Sequence, residues 1–394
     1  MSRTVAMRLP RGPHPHPHAP PRPGRRVLGA ALMASLGLGL SATLAPAADA
    51  ATGDDAARTQ LGAGVWANYR YVVDDPRDKE SLGDFADEAF ILYADGQAGG
   101  EGRWAYSAEL RIGPGSFTDP QNNPSGNNFA LHKAWIGWQL APQRWLRFGK
   151  SQVPFAWKTV NFWPGDVLLA GYGDQMDVGL KYSQDAARWR LDLAYYHADD
   201  WGETSTDTVD DNGHWGSSDS YRKVQTVVAN VEYQLWPGQR LALSAQAGGL
   251  QDLSSVNGSD NPISGEHEAL ALWWHGEWAA FYAKAAYILQ QRELPESLRA
   301  AANLPPQVEN SRMAVELGYR RGDWFFYLDS SAARADTPGG LGETVYAHAP
   351  GLSYDYGPGW IYLELLSQDG FVDRQGQVQA GDFDALYLSA DFYL

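Results

Sequence analysis

The residues able to do chemistry are scattered in this chain, and the first question is whether any of them converge. There is no Cys, so no thiolate nucleophile, disulfide framework or thiolate metal site exists. His132, His197, His214, His267, His275 and His348 show no metal-ligand spacing. No Gly-x-Ser-x-Gly elbow or His-Glu-x-x-His motif occurs, and no Ser/His pair is evident on neighbouring segments. The expectation is therefore no catalytic residue, no metal and no cofactor. The acidic stretch from Asp199 to Tyr221 holds Asp199, Asp200, Glu203, Asp207, Asp210, Asp211 and Asp219 without a Lys or Arg, but it lacks the Gly and terminal Glu of a calcium loop. What remains is a set of cations that recur at alternate positions of apolar-polar segments: Arg103, Arg111, Lys133, Arg147, Arg188, Arg190, Arg312 and Arg320. Cations in that pattern can lower the barrier to a negative solute along a hydrated wall. They can equally pair with acids across strands and leave little net field.

The segments that would carry these cations have period two, as in strands whose faces meet different solvents. In 103–112, Trp104, Tyr106, Ala108, Leu110 and Ile112 alternate with Arg103, Ala105, Ser107, Glu109 and Arg111. Met313, Val315, Leu317 and Tyr319 alternate with Arg312, Ala314, Glu316, Gly318 and Arg320. Strands are expected near 61–72, 86–95, 102–113, 129–140, 144–153, 176–184, 188–198, 222–235, 240–250, 266–275, 278–289, 310–320, 324–333, 344–356, 359–367 and 382–394. Tight turns such as Ala141-Pro142-Gln143, Pro237-Gly238-Gln239 and Arg321-Gly322-Asp323 alternate with long polar connections such as 114–128, 199–221 and 368–381. That sorting of connection lengths predicts an all-β fold: a transmembrane antiparallel β-barrel of about 16 strands, with both ends on the short-turn side. Closure is required, because an open edge in lipid leaves backbone groups unpaired.

Residues 1–50 read as a cleaved signal peptide. Arg3, Arg8, Arg11, Arg22, Arg25 and Arg26 precede an apolar run from Val27 to Ala45, followed by the small-residue sites Ala45-Pro46-Ala47 and Ala48-Asp49-Ala50. Residues 51–60 would be a short periplasmic segment, and 61–394 the barrel. Removing residues 1–50 takes away six Arg and one Asp, so the net charge moves from −16 to −21. A chain this acidic is a poor partner for nucleic acid. Its 16 Trp and 20 Tyr, combined with a negative mean hydropathy of −0.40, suit aromatic girdles around a polar interior.

The segment 130–157, ALHKAWIGWQLAPQRWLRFGKSQVPFAW, resembles the entry to the third loop of Gram-negative outer-membrane porins, most closely the phosphate-selective porin O/P type. Gly149, Lys150, Val153, Pro154 and Phe155 are the matching positions. The alternating strand that ends on Phe392 and Leu394 is similar to the assembly signal of outer-membrane barrels. The resemblance implies a homotrimeric passive channel for small hydrophilic solutes in a Gram-negative outer membrane. It also implies contact with lipid bilayer, lipopolysaccharide and the outer-membrane assembly machinery, and a constriction loop folded into the lumen. Trp157, Lys158, Trp163 and Asp166 would belong to that loop. Phosphate selectivity is not implied, because the family's lumenal arginines cannot be matched one by one.

If the apolar set of each strand faces lipid, the other set faces the lumen. The eight cations above fall in it with Arg70, Arg222, Arg240 and Lys284, against the acids Glu109, Asp192, Glu232, Glu316, Asp329, Glu364 and Asp391. A lumen that prefers anions is the expectation. A structural or adhesive barrel, or a barrel enzyme such as a phospholipase, is the alternative that a conductance measurement would separate.

Overall fold

The computed structural model describes residues 58–74, 82–98, 102–116, 129–156, 175–201, 221–253, 262–302, 305–337, 342–372 and 376–394. The expected signal peptide and the loop residues Trp157, Lys158, Trp163 and Asp166 lie outside them.

Sixteen antiparallel strands close into one barrel: β1 Arg58–Asp74, β2 Asp84–Ala98, β3 Trp104–Ile112, β4 Phe129–Ala141, β5 Arg144–Gln152, β6 Met176–Asp185, β7 Trp189–Ala198 and β8 Tyr221–Trp236, then β9 Gln239–Asp252, β10 Ile263–Trp278, β11 Phe281–Glu293, β12 Gln307–Arg321, β13 Trp324–Ala335, β14 Thr344–Asp355, β15 Trp360–Val372 and β16 Val378–Tyr393. Every strand pairs with its neighbours in sequence, and β1 pairs with β16 in continuous register from Gly64↔Tyr393 to Val72↔Ala385. No edge is left open, which is the condition lipid imposes. No helix of the described residues is long and apolar enough to cross a membrane.

The two faces of each strand differ as the alternation predicts. On β10, Leu270, Leu272 and Trp274 point outward while His267, Ala269, Ala271 and Trp273 are buried on the inner side. Leu272, 51% exposed, is typical of an outer surface that also carries Leu243, Met313, Leu317, Leu328, Leu363, Leu365 and Leu388. The inner side carries buried Glu109, Arg111, Asp192, Asn230, Ser244, Arg312, Glu316, Asp329 and Glu364. This is the reverse of a soluble protein, with apolar groups outside and charges inside.

The tight turns fall where expected. Ala141 and Arg144 close β4 and β5 around Pro142-Gln143, and Gly238 and Gly322 take positive φ (77° and 60°) in the turns after β8 and β12. At this end of the barrel Trp104, Trp138, Trp189, Trp236, Trp278 and Trp324 form an outer aromatic rim, with Trp274 further along the outer face of β10, Trp104 stacked on Trp138 and Trp324 against Tyr354. Several strands run further than expected at one end or the other. β1 starts at Arg58 rather than 61, and β15 and β16 continue to Val372 and from Val378, so the long connection expected over 368–381 shrinks to 373–377. Backbone pairing continues past the alternating part of these strands, through polar Arg58, Thr59 and Gln60 on β1 and across a register shift between Gln368 and Gly370 on β15. A seven-residue helix, α1 (Glu296–Ala302), sits in the connection after β11.

Candidate functional site

The inner wall places the expected cations in different settings. The guanidinium of Arg111 pairs with Glu109 at 2.8 Å and lies over the Trp66 ring, and the ammonium of Lys133 reaches the same carboxylate at 3.8 Å. Arg190 pairs with Asp192 at 3.0 Å and approaches Asp185 and Glu232. Arg312 is buried and donates to Asn310 and Gln290. Arg188 lies in the turn before β7, where it donates to the carbonyls of Gln234 and Leu235; it fastens neighbouring turns at the rim. Arg320 packs over Phe325 near the same rim, and Arg103 is exposed just before β3. Lys133, Arg147 and Arg190 converge on one cavity; Arg103, Arg111, Arg188, Arg312 and Arg320 do not line it.

That cavity, of about 430 Å³, is enclosed by β4–β8, β10 and the chain that leaves β5. The entry of the third long connection builds its floor. Gly149 has φ 118°, and a Cβ there would stand 2.3 Å from the carbonyl oxygen of Ala134, so only Gly fits this point of β5. Beyond it, Val153 and Phe155 are buried inside the barrel against Tyr196, Val228, Ala271 and Trp273. The Ala156 amide donates to Ser244 Oγ at 3.2 Å. Ser244 also accepts from the Trp273 indole at 3.0 Å and donates to Asn230 at 2.8 Å, and Asn230 donates in turn to Glu232 at 3.2 Å. Residues 153–156 are thereby tied to the inner faces of β7–β11, and the Gly149–Phe155 pattern acquires a physical reason.

Lys181 was not among the expected site residues, although the period of β6 puts it on the same face as Asp177, Gly179 and Ser183. It faces Arg147 directly across the β5–β6 pair. Its ammonium donates to the Gln152 carbonyl at 2.6 Å, and the Arg147 guanidinium donates to Ser183 Oγ at 3.0 Å while lying 5.1 Å from the Trp135 ring centroid. Trp135 and Trp273, inward among outward neighbours, were likewise not singled out; each shares its strand face with polar or small residues, which is the signal that finds them.

The acids are not spread evenly either. Glu316 and Asp329 are register partners on β12 and β13, with Lys284 3.0 Å from Glu316 and Tyr282 bonded to it. Two strands further round, Glu364 accepts from Tyr327 at 2.5 Å. These three acids share β11–β15 with Lys284, Arg292, Arg312 and Arg320, while Arg111, Lys133, Arg147, Lys181 and Arg190 lie over β3–β7.

One expectation about catalysis needs correction. A Ser/His pair does occur on neighbouring strands: His348 Nδ1 is 3.1 Å from Ser330 Oγ on β14 and β13. The period hid it, because the two residues are far apart in sequence and sit on the outer apolar face. Among the described residues no carboxylate orients the imidazole, so the pair lacks the third member of a hydrolytic site. No group of three or more His, Asp or Glu able to hold a metal occurs among the described residues.

A closed sixteen-stranded antiparallel barrel with an apolar exterior and a charged interior is the architecture of outer-membrane porins. Among solved structures the chain is similar to the outer-membrane channel DcaP of Acinetobacter baumannii, with 11% identity, a TM-score of 0.58, and 87% of this chain and 99% of that one covered. It is similar to an anion-selective porin from Comamonas acidovorans, with 10% identity, a TM-score of 0.56, and 86% and 100% covered. It is also similar to OmpT, an outer-membrane protein of Vibrio cholerae, in its trimer form, with 10% identity, a TM-score of 0.58, and 86% and 100% covered. At this identity the likeness is one of fold. No family model matches the sequence, and no curated protein matches it.

Proposed function

We propose that this chain is an outer-membrane porin, a water-filled channel for passive diffusion of small hydrophilic solutes that favours anions. The observation that carries the reading is the inverted barrel: apolar side chains outside, and ionised groups on the inner faces of most strands. Such an interior is stable only if hydrated or internally paired. The cation cluster over β3–β7 supports the preference, with Arg111, Lys133, Arg147, Arg190 and, higher on the wall, Arg312 as the selectivity residues; Arg103, Arg188 and Arg320 would act at the mouth. The inward run of residues 153–156 supports a third loop that narrows the lumen, continued by Trp157, Lys158, Trp163 and Asp166. Assembly as a homotrimer, insertion by the outer-membrane machinery and contact with lipopolysaccharide complete the proposal.

Purified protein in a planar bilayer tests it. Discrete, stable conductance steps are expected, with a reversal potential in a salt gradient of the sign that anion flow gives. No steps would overturn the channel, and a cation-selective potential would overturn the preference while leaving the channel.

A further inference from the structure

The inner cations differ in one respect that matters for binding. Arg111, Lys133, Lys150, Arg190, Lys223 and Lys284 each stand within 4 Å of a carboxylate. Arg147 and Lys181 do not: among the described residues their polar partners are a serine hydroxyl and a backbone carbonyl. They are direct register partners on β5 and β6, Lys181 buried and Arg147 half-buried, and both line the 430 Å³ cavity. Their cavity also holds Lys133 and Arg190 against the acids Asp192 and Glu232, both of which Arg190 engages, so four cations face two acids and a local excess of positive charge remains where water is partly excluded. A carboxylate set between Arg147 and Lys181 would gain two charge-assisted hydrogen bonds.

The rest of the cavity decides what that carboxylate is attached to. Trp135, Trp273, Phe155, Val153 and Pro154 supply apolar and aromatic surface beside the cation pair. Arg147 already lies over Trp135, so its guanidinium is held in place before any solute arrives. Inorganic phosphate would have to give up strongly held water to these walls and receive nothing for its fourth side. A planar apolar body would instead bury against them. At 430 Å³ the space is of the size that small ligands occupy.

We infer that the pocket formed by Arg147, Lys181, Trp135, Trp273 and Phe155 is a binding subsite for small aromatic carboxylates, passed by solutes on their way through the lumen. This rests on the channel reading. The carboxylate lies between Arg147 and Lys181, and the ring lies toward Trp273 and Phe155.

Benzoate is the probe, with phosphate and benzamide as comparisons, added to the wild-type channel in a planar bilayer carrying chloride current. Benzoate is expected to lower the current reversibly and saturably, at concentrations at least tenfold below those at which phosphate or benzamide does so. R147Q and K181Q should each raise the half-blocking benzoate concentration at least tenfold, while R321Q at the exposed rim leaves it unchanged. Heat-modifiable gel migration verifies that each variant is a folded barrel, and R147K serves as a charge-retaining second variant that keeps part of the block. A conducting wild type on which benzoate and phosphate act alike overturns the subsite and leaves the porin standing. A wild type that does not conduct overturns the porin reading itself, and tryptophan fluorescence quenching by benzoate then reads the subsite separately: saturable quenching supports it and its absence overturns it.

Discussion

Gly149 shows how a single residue sets the course of the chain. Its φ of 118° and the 2.3 Å approach a Cβ would make to the Ala134 carbonyl leave no room for another side chain. Gly149→Ala should cost about 1–3 kcal/mol from the backbone conformation alone, with more from the contact, and it should turn the segment 153–156 away from the β7–β11 wall. The expected readout is a lower urea midpoint for the folded barrel together with noisier conductance; an unchanged midpoint would refute the argument. The sequence pattern around Gly149 was legible as a likeness to a known loop entry, but the reason for the glycine was not, because it depends on a carbonyl one strand away. Lys181 illustrates the opposite case: the period of β6 places it on the inner face, yet only the β5–β6 register reveals that it stands opposite Arg147.

At the scale of the strand, the outer face is where the environment can be tested. Leu272 lies near the middle of β10, 51% exposed, between Leu243 on β9 and Tyr287 on β11. On a water-facing surface, Leu272→Arg would be close to neutral. In lipid it should cost about 2–4 kcal/mol near the bilayer midplane, read as a fall in folding stability in lipid vesicles. A neutral result would place β10 against water instead. The sixteen strands were legible because strict alternation of long segments survives noise, and because Arg, Glu and Asp mark the inner positions of so many of them. Their upper ends were not legible: β15 and β16 pair as far as Val372 and Val378 across a register shift between Gln368 and Gly370, with apolar Leu366, Val372 and Val378 packed together inside, so period two no longer marks the outer face. The Ser330–His348 contact escaped for a related reason, since adjacency across strands depends on register and turn length together.

For the whole molecule, the net charge of −16 conceals a division that the fold makes visible. Acids crowd the segment 199–221, while on the inner wall Lys133, Arg147, Lys181 and Arg190 gather over β4–β7 and the acids Glu316, Asp329 and Glu364 lie among Lys284 and Arg312 over β11–β15. Screening acts over about 10 Å at 0.1 M salt and about 3 Å at 1 M. The anion preference is therefore expected to be largest in dilute salt and to shrink toward unity near molar salt, measured as the permeability ratio from reversal potentials; a ratio independent of salt would point to a steric origin. The division could be anticipated only in part, since a list of inner cations and acids does not say which of them are neighbours. The ring of outward tryptophans at the short-turn end has a different use. Trp104, Trp138, Trp189, Trp236, Trp278 and Trp324 lie within a few residues of the short turns, so quenchers attached at graded positions along a lipid chain would report how deeply that end sits. The molecule carries a built-in depth gauge, one that reads which end entered the bilayer first without any label being attached.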